Sequence, residues 1–173
     1  LLIAANNTGG NANYNLKANG ISFNTSTGSS YSFNHTNITV NTTYQLEVTQ
    51  GSTTITRSFS AIVNPTVVTQ ALPPGLVNGI NYNPTDNTKA TLVLDAPFKD
   101  FVYVAGSFNN WQPNTNYEMK KDVAPSTKFW LELTDLIPGE NYTYQYWVGD
   151  QTNRPANSPA FVKVADPCST TVL

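Results

Sequence analysis

Apolar and polar residues alternate with a period of two through nearly the whole chain, and this pattern limits the fold more than any other feature. In residues 55–63, ITRSFSAIV, the odd positions are mostly apolar and the even positions mostly carry hydroxyls, which is typical of a half-buried strand. Residues 44–48, YQLEV, alternate in the same way, and Gln50, Gly51 and Ser52 between the two runs predict a hairpin loop. No segment keeps the period of a helix. The sequence therefore predicts an all-β fold.

Short strand-like runs separated by glycine and asparagine turns fill the first part of the chain. They lie at residues 1–5, 15–18, 21–24 and 31–33, a spacing that is typical of an antiparallel β-sandwich. We expect an immunoglobulin-like domain that lacks its first strand or so, because residues 1–5 already form a strand-like run. We also expect a fragment of a longer protein, since residues 170–173 end the chain without a terminating signal.

A proline-containing segment at residues 64–76 predicts a domain boundary. Pro65 follows the last strand-like run of the first part, and residues 71–75, ALPPG, come soon after. The charges also divide here, because residues 1–66 contain one carboxylate and two basic residues, while every other acidic residue lies beyond them. We therefore predict two tandem immunoglobulin-like antiparallel β-sandwich domains, at residues 1–66 and 67–173, joined by a short and stiff linker.

Composition argues against several classes of partner and site. The net charge is −2 and 12% of the residues are charged, so the chain lacks the basic surface that nucleic acid requires. No apolar run is long enough to span a membrane, and we expect no direct membrane insertion. A single cysteine, Cys168, excludes an internal disulfide and a cysteine-rich metal site. The single histidine, His35, has no acidic neighbour in sequence and is expected at the surface. We predict no cofactor and no metal.

The second part of the chain combines six predicted strands with a turn that suits a sugar ring. The strands are predicted at residues 79–82, 89–95, 101–105, 128–133, 142–148 and 161–164. After the third of them, Asn109 and Asn110 directly precede Trp111. A sugar ring offers apolar C–H faces edged by hydroxyls, so it suits an aromatic plane with amides beside it. The same pattern is also ordinary turn chemistry next to a core tryptophan.

Four motifs of the second part, taken in their order along the chain, resemble those of a known family. They are VAGSFNNW at 104–111, FWLEL at 129–133, LIPGENYTYQYWV at 136–148 and ADP at 165–167. This series resembles the family-48 carbohydrate-binding module, the early-set immunoglobulin-like domain that precedes the catalytic barrel in many family-13 glycoside hydrolases. It is also similar to the glycogen-binding domain of AMP-activated kinase beta subunits. The match covers roughly residues 76–167.

A second tract narrows the resemblance. Residues 64–73, NPTVVTQALP, followed by GINYNP at 79–84, are similar to the N-terminal region of secreted alpha-amylases of Bacteroidetes-type bacteria. In those proteins the catalytic domain would begin just after a segment of this kind. The resemblance therefore implies an accessory region, located outside a bacterial cell or on its surface.

The resemblance also implies roles for individual residues. Trp111 occupies the position of the module's principal stacking tryptophan, with Asn110 beside it. Gln145 stands where the module carries a starch-facing lysine, so the charge is lost while an amide remains to donate to a sugar hydroxyl. The glycogen-binding relatives carry a second stacking tryptophan after this strand, and residues 149–154 contain none. This departure implies weak rather than tight glucan binding.

Strand alternation adds two further candidates. If Tyr146 faces the core, Gln145 and Trp147 share the opposite face of their strand, and Trp130 faces outward by the same argument. Trp111, Trp130, Gln145 and Trp147 are then predicted to form one aromatic platform for carbohydrate. The alternative is that Trp130 and Trp147 cover their sheets against the other domain or a catalytic barrel, since large apolar patches usually mark protein contacts.

These features predict a non-catalytic accessory region of a secreted, starch-degrading alpha-amylase. Its expected partners are alpha-glucan such as starch or glycogen, bound weakly, and the catalytic domain of the same polypeptide. Glycoside hydrolysis requires two carboxyl groups flanking a cleft, and the local sequence indicates no such pair. The alternative is a purely structural immunoglobulin-like spacer of a cell-surface protein with no glycan binding. In both cases we expect no small-molecule site in the first domain, which has no tryptophan and one carboxylate.

Overall fold

The alternating pattern folds into antiparallel sheets. The computed structural model describes residues 1–63, 67–150 and 161–169, and these residues form an all-β protein, as predicted. Thirteen strands pair in four antiparallel sheets, and the only helices among the described residues are two short 3₁₀ helices.

The chain divides into two compact units, Leu1–Val63 and Asn64–Leu173. Three segments named in the sequence predictions lie outside the described residues. They are residues 64–66 of the linker, residues 151–154 after the predicted strand at 142–148, and residues 170–173 at the end of the chain. The immunoglobulin-like type of each domain stays a prediction.

Unit 1 holds two sheets, of strand order β1-β4 and β3-β2-β5-β6. Its strands are β1 (Leu2–Asn6), β2 (Ala12–Ala18), β3 (Ile21–Gly28), β4 (Ser30–Asn34), β5 (Thr42–Gln50) and β6 (Thr53–Ala61). The core is rich in tyrosine and consists of Ile3, Ala12, Tyr14, Leu16, Tyr31, Tyr44 and Leu46. Gly51 and Ser52 close the β5–β6 hairpin, because Gln50 pairs with Thr53 across them, and this prediction is confirmed.

Two expectations for unit 1 do not hold. Ile55 was expected on the buried face of its strand but is 54% exposed, because β6 is an edge strand whose first part has little packed against it. His35 is half-buried rather than a surface residue. Its Nδ1 forms a hydrogen bond with the Tyr44 hydroxyl, and its ring contacts Phe23. The histidine therefore contributes to an aromatic cluster beside the core.

Unit 2 places one apolar core between two sheets, of strand order β10-β11-β8-β7 and β13-β12-β9. Its strands are β7 (Gly79–Tyr82), β8 (Ala90–Asp95), β9 (Phe101–Gly106), β10 (Lys120–Lys121), β11 (Lys128–Leu133), β12 (Tyr144–Gly149) and β13 (Phe161–Val164). The core side chains alternate along four of these strands and include Leu92, Leu94, Val102, Val104, Phe129, Leu131, Tyr146 and Val148. The two 3₁₀ helices, Ser107–Asn109 and Thr115–Tyr117, lie between β9 and β10.

A buried carboxylate ties the C-terminal segment to this core. Asp166 Oδ2 accepts hydrogen bonds from the hydroxyls of Tyr144 at 2.6 Å and Tyr146 at 3.1 Å, and its Oδ1 accepts from the Cys168 amide at 2.8 Å. Burial raises the pKa of both tyrosines far above the usual value, reinforced for Tyr144 by its hydrogen bond to Asp166 and for Tyr146 by the charges of Tyr144 and Asp166. The Ala-Asp-Pro motif therefore has a structural role in which both phenols remain protonated donors.

Residues 67–72, here called the strap, run along the edge strand β10. Val68 O accepts from the Lys121 amide at 2.9 Å, and the Gln70 amide donates to Lys121 O at 2.9 Å. The Leu72 amide donates to Asp122 Oδ1 at 2.8 Å. Most of the tract that was predicted as a stiff linker before Pro73 is thus part of unit 2 and is hydrogen-bonded to the rest of it.

Candidate functional site

The turn after β9 is built on the side chain of Asn109. Its Oδ1 accepts the Gly106 N–H at 2.8 Å and its Nδ2 donates to Val104 O at 2.9 Å, and the residue is buried. The amide thereby satisfies two backbone groups that the end of the strand leaves unpaired. The expectation that both asparagines face a sugar edge is wrong for Asn109, because its polar atoms point at the β9 backbone.

Asn110 and Trp111 complete this turn in the left-handed region, with φ of 54° and 58°. The Trp111 amide donates to Gly106 O at 2.9 Å, and the indole is 41% exposed. Asparagine tolerates this region, whereas a bulky residue there costs about 1–2 kcal/mol. The fold thus holds a partly exposed indole in an unfavourable backbone conformation, with the exposed Asn110 next to it.

Gln145 lies at the same end of the β9–β12 pair as this turn. It pairs with Ala105 on β9, and the Ser107 amide of the turn donates to Thr143 O at 2.9 Å, just before β12 begins. Because Tyr146 points into the core, Gln145 and Trp147 share the outer face of β12, as predicted. Gln145 is half-buried, and its side-chain amide forms no hydrogen bond with any described residue.

Trp130 is on the outer face of β11, as predicted, but it is only 4% exposed. The strap covers it, and the indole Nε1 donates to Gln70 O at 3.0 Å. Lys120 Nζ lies 4.4 Å from the ring centroid, a cation–π contact. With the strap in this position the ring offers no free face to a sugar.

Trp147 is covered as well and is 6% exposed. Phe161 stacks on it with ring centroids 4.7 Å apart and an interplanar angle of 10°, and Lys163 Nζ lies 4.3 Å from its centroid. Its Nε1 is buried without a hydrogen-bond partner in the part of the chain that the structure describes. The covering groups belong to the same unit, as they do for Trp130.

The predicted aromatic platform does not form. Trp130 lies on the sheet that contains β11, and Trp147 lies on the sheet that contains β12, with the core between the two sheets. Both indoles are on outer faces, so they point to opposite sides of the unit. Of the three tryptophans, Trp111 alone has a substantial exposed surface.

A pocket that the sequence does not predict lies beside the same turn. Its volume is about 450 Å³, and it is lined by Phe108, Asn116, Tyr117, Glu132, Leu133, Thr134, Asp135, Leu136 and Tyr142. Phe108 belongs to the 3₁₀ helix that leads to Trp111. The signal available in the sequence was an aromatic residue inside the VAGSFNNW motif, but its partners come from three separate segments.

Other classes of site have no support among the described residues. No group of three or more His, Cys, Asp or Glu side chains there is arranged to hold a metal ion. No helix in the same ranges has the length and apolar character needed to cross a membrane. No protein-family model matches the chain, and no curated protein matches it.

Proposed function

We propose that unit 2 binds alpha-glucan weakly through Trp111, as part of a non-catalytic accessory region of a secreted, starch-degrading bacterial enzyme. The observation that carries the proposal is the Trp111 turn. The hydrogen bonds of the Asn109 side chain fix a turn in which Asn110 and Trp111 lie in the left-handed region, and Trp111 is 41% exposed. Backbone strain of this kind persists where the surrounding structure enforces it, and it is concentrated at functional sites.

The neighbouring amides supply the polar part of the contact. Asn110 is exposed next to Trp111. Gln145 lies at the same end of the sheet, and its side-chain amide forms no hydrogen bond with any described residue. Amide groups both donate to and accept from sugar hydroxyls. Trp111, Asn110 and Gln145 thus combine an apolar plane with two hydrogen-bonding groups.

The expected affinity is low. One stacked ring contributes roughly 1 kcal/mol beyond its buried area, and each solvent-exposed hydrogen bond contributes about 0.5–1.5 kcal/mol. Association costs several kcal/mol of entropy, so the dissociation constant should lie around the millimolar range, near −4 kcal/mol. Trp130 and Trp147 add nothing to this sum while they stay covered.

Affinity electrophoresis in gels that contain amylopectin tests the proposal. Wild-type protein should be retarded, and Trp111→Ala should lose most of this retardation. Phe98→Ala is the matched control, because Phe98 is also an exposed aromatic residue of unit 2 with a positive φ, at the opposite end of β9. This control should be retarded like the wild type.

Two results would contradict the proposal in different ways. A wild-type chain that is not retarded would exclude polysaccharide binding at Trp111 and favour the structural spacer as the function. Retardation that is undiminished in Trp111→Ala would show that glucan binds at another surface. The spacer is the second candidate because two of the three tryptophans are covered within their own unit.

A further inference from the structure

The pocket beside the Trp111 turn has the volume of a ligand site and a mostly polar surface. Its volume of about 450 Å³ falls within the roughly 300–1,000 Å³ of small-molecule pockets. One wall comes from the two 3₁₀ helices, where Phe108 and Tyr117 stack with ring centroids 5.3 Å apart. The facing wall comes from the end of β11 and the loop that follows it.

The loop wall is fixed by a hydrogen bond of its own. The Ile137 amide donates to the Tyr142 hydroxyl at 2.8 Å, which closes the loop on itself. The Tyr142 ring also contacts Phe108, with centroids 6.3 Å apart. Because the phenol accepts this bond, its own proton remains available to a further acceptor. Three aromatic rings thus form a connected wall.

The polar lining is rich in hydrogen-bond acceptors. The Glu132 carboxylate has no hydrogen bond or ion pair with any described residue, and it is exposed. Asp135 Oδ2 accepts from the Thr134 hydroxyl at 2.9 Å, which leaves its other oxygen available. The described lining contains no Lys, Arg or His. A fitting ligand must therefore donate several hydrogen bonds and carry no negative charge.

We propose that this pocket binds a neutral hexose ring and is a second contact site for alpha-glucan. The inference deepens the proposed function and rests on it for the choice of glucan. Hydroxyls of the sugar donate to the two carboxylates, and the ring lies beside the aromatic side chains that line the pocket. Phosphorylated or carboxylated sugars are repelled by the uncompensated negative charge.

The placement of the pocket explains how two weak sites act together. Phe108 and Trp111 are three residues apart in one turn, so this turn forms both the pocket wall and the exposed indole. A glucan chain that contacts both sites converts the second contact into an intramolecular one and gains affinity without a stronger contact at either. A disaccharide should occupy the pocket alone.

The test is a titration followed by ¹H–¹⁵N NMR spectra of the full chain. Maltose should shift the amide signals of the pocket lining in the wild type. In Glu132→Gln combined with Asp135→Asn, the dissociation constant should rise about tenfold, since two charged acceptors are lost. Asparagine suits position 135, where φ is 60°. Glu140→Gln, in the same loop but outside the pocket, should bind as the wild type does.

Two further ligands test whether the pocket selects a neutral sugar over an anion or a cation. Glucose 6-phosphate and choline should leave the lining signals unchanged at the maltose concentrations that shift them. Lining signals that respond to choline and not to maltose would overturn the inference and assign a cation site. Lining signals that do not respond to maltose at all would also overturn it.

The two experiments separate the pocket from the Trp111 site. If Trp111→Ala loses retention in amylopectin while maltose causes no shift in the pocket, the first site stands and the pocket does not. If maltose shifts the pocket signals while wild-type protein is not retarded, the pocket stands and polysaccharide binding at Trp111 does not.

Discussion

At the scale of single residues, Asn109 and Asn110 are chemically identical neighbours with opposite roles. Both polar atoms of the Asn109 side chain form hydrogen bonds with the β9 backbone, whereas Asn110 is exposed and its backbone is in the left-handed region. The sequence predicts that a turn lies here and that Trp111 follows it. It does not predict which amide turns inward, because that depends on which carbonyl and amide groups the end of β9 leaves unpaired.

This contrast predicts different responses to substitution. Asn109→Asp removes the donor to Val104 O and places a carboxylate against that carbonyl, so unit 2 should lose about 1–3 kcal/mol of unfolding free energy. Asn110→Gly keeps the left-handed backbone and should change stability by less than about 0.5 kcal/mol. Tryptophan fluorescence during urea unfolding measures the free energy of unfolding of unit 2, since all three tryptophans lie there. Equal losses of unfolding free energy in both variants would contradict the structural role assigned to the Asn109 side chain.

At the scale of elements, the sequence predicts the strands well, but it does not predict which segments pack over the outer faces of the sheets. Predicted strands 79–82, 128–133 and 161–164 coincide with β7, β11 and β13, because alternation is a local property. The alternative that Trp130 is covered holds, but the sequence does not predict that the strap covers it, since its hydrogen bond to Gln70 joins residues that are 60 positions apart. It also misses β10, whose two residues are too few to show alternation.

The strap is the element whose attachment depends most clearly on pH. Asp122 accepts the Leu72 amide, and this bond is the first cause that holds the pKa of its carboxyl below the usual 3.8. A lowered pKa means that the ionised carboxylate stabilises the attached strap at neutral pH. This contribution is lost as the pH falls below about 3.8 and through the lowered pKa.

Asp122→Ala should therefore loosen the strap at neutral pH. The indole N–H of Trp130, which is bonded to Gln70 O, should exchange with solvent faster than in the wild type. Wild-type protein should show the same acceleration, relative to the intrinsic rate, only in acid. Hydrogen exchange followed by NMR on the indole signal measures both, with Glu140→Ala as a control remote from the strap. Unchanged exchange in Asp122→Ala would show that the remaining backbone bonds hold the strap alone.

At the scale of the whole molecule, all three tryptophans and ten of the eleven acidic residues lie in unit 2. Unit 1 contains no tryptophan and one carboxylate, Glu47, which is paired with Lys17 at 2.5 Å. The sequence predicts this asymmetry from composition alone. It does not predict that Glu132 and Asp135 line one pocket, because the facing wall comes from the distant segment that contains Phe108 and Tyr117.

This pair of carboxylates sharpens the prediction that the full chain has no hydrolytic activity on starch, glycogen or maltooligosaccharides. Glycosidases place an acid and a second carboxylate about 5–10 Å apart around a cleft, and the acid works in an environment that burial has made less polar. Glu132 and Asp135 are both exposed, so water competes for each carboxylate and no such environment exists around them. Release of reducing sugar by highly purified protein should therefore equal the buffer blank, with or without Glu132→Gln. Activity above the blank that disappears in Glu132→Gln would instead make the pocket an active site. The accessory role would then fail, while the location of the sugar would still be correct.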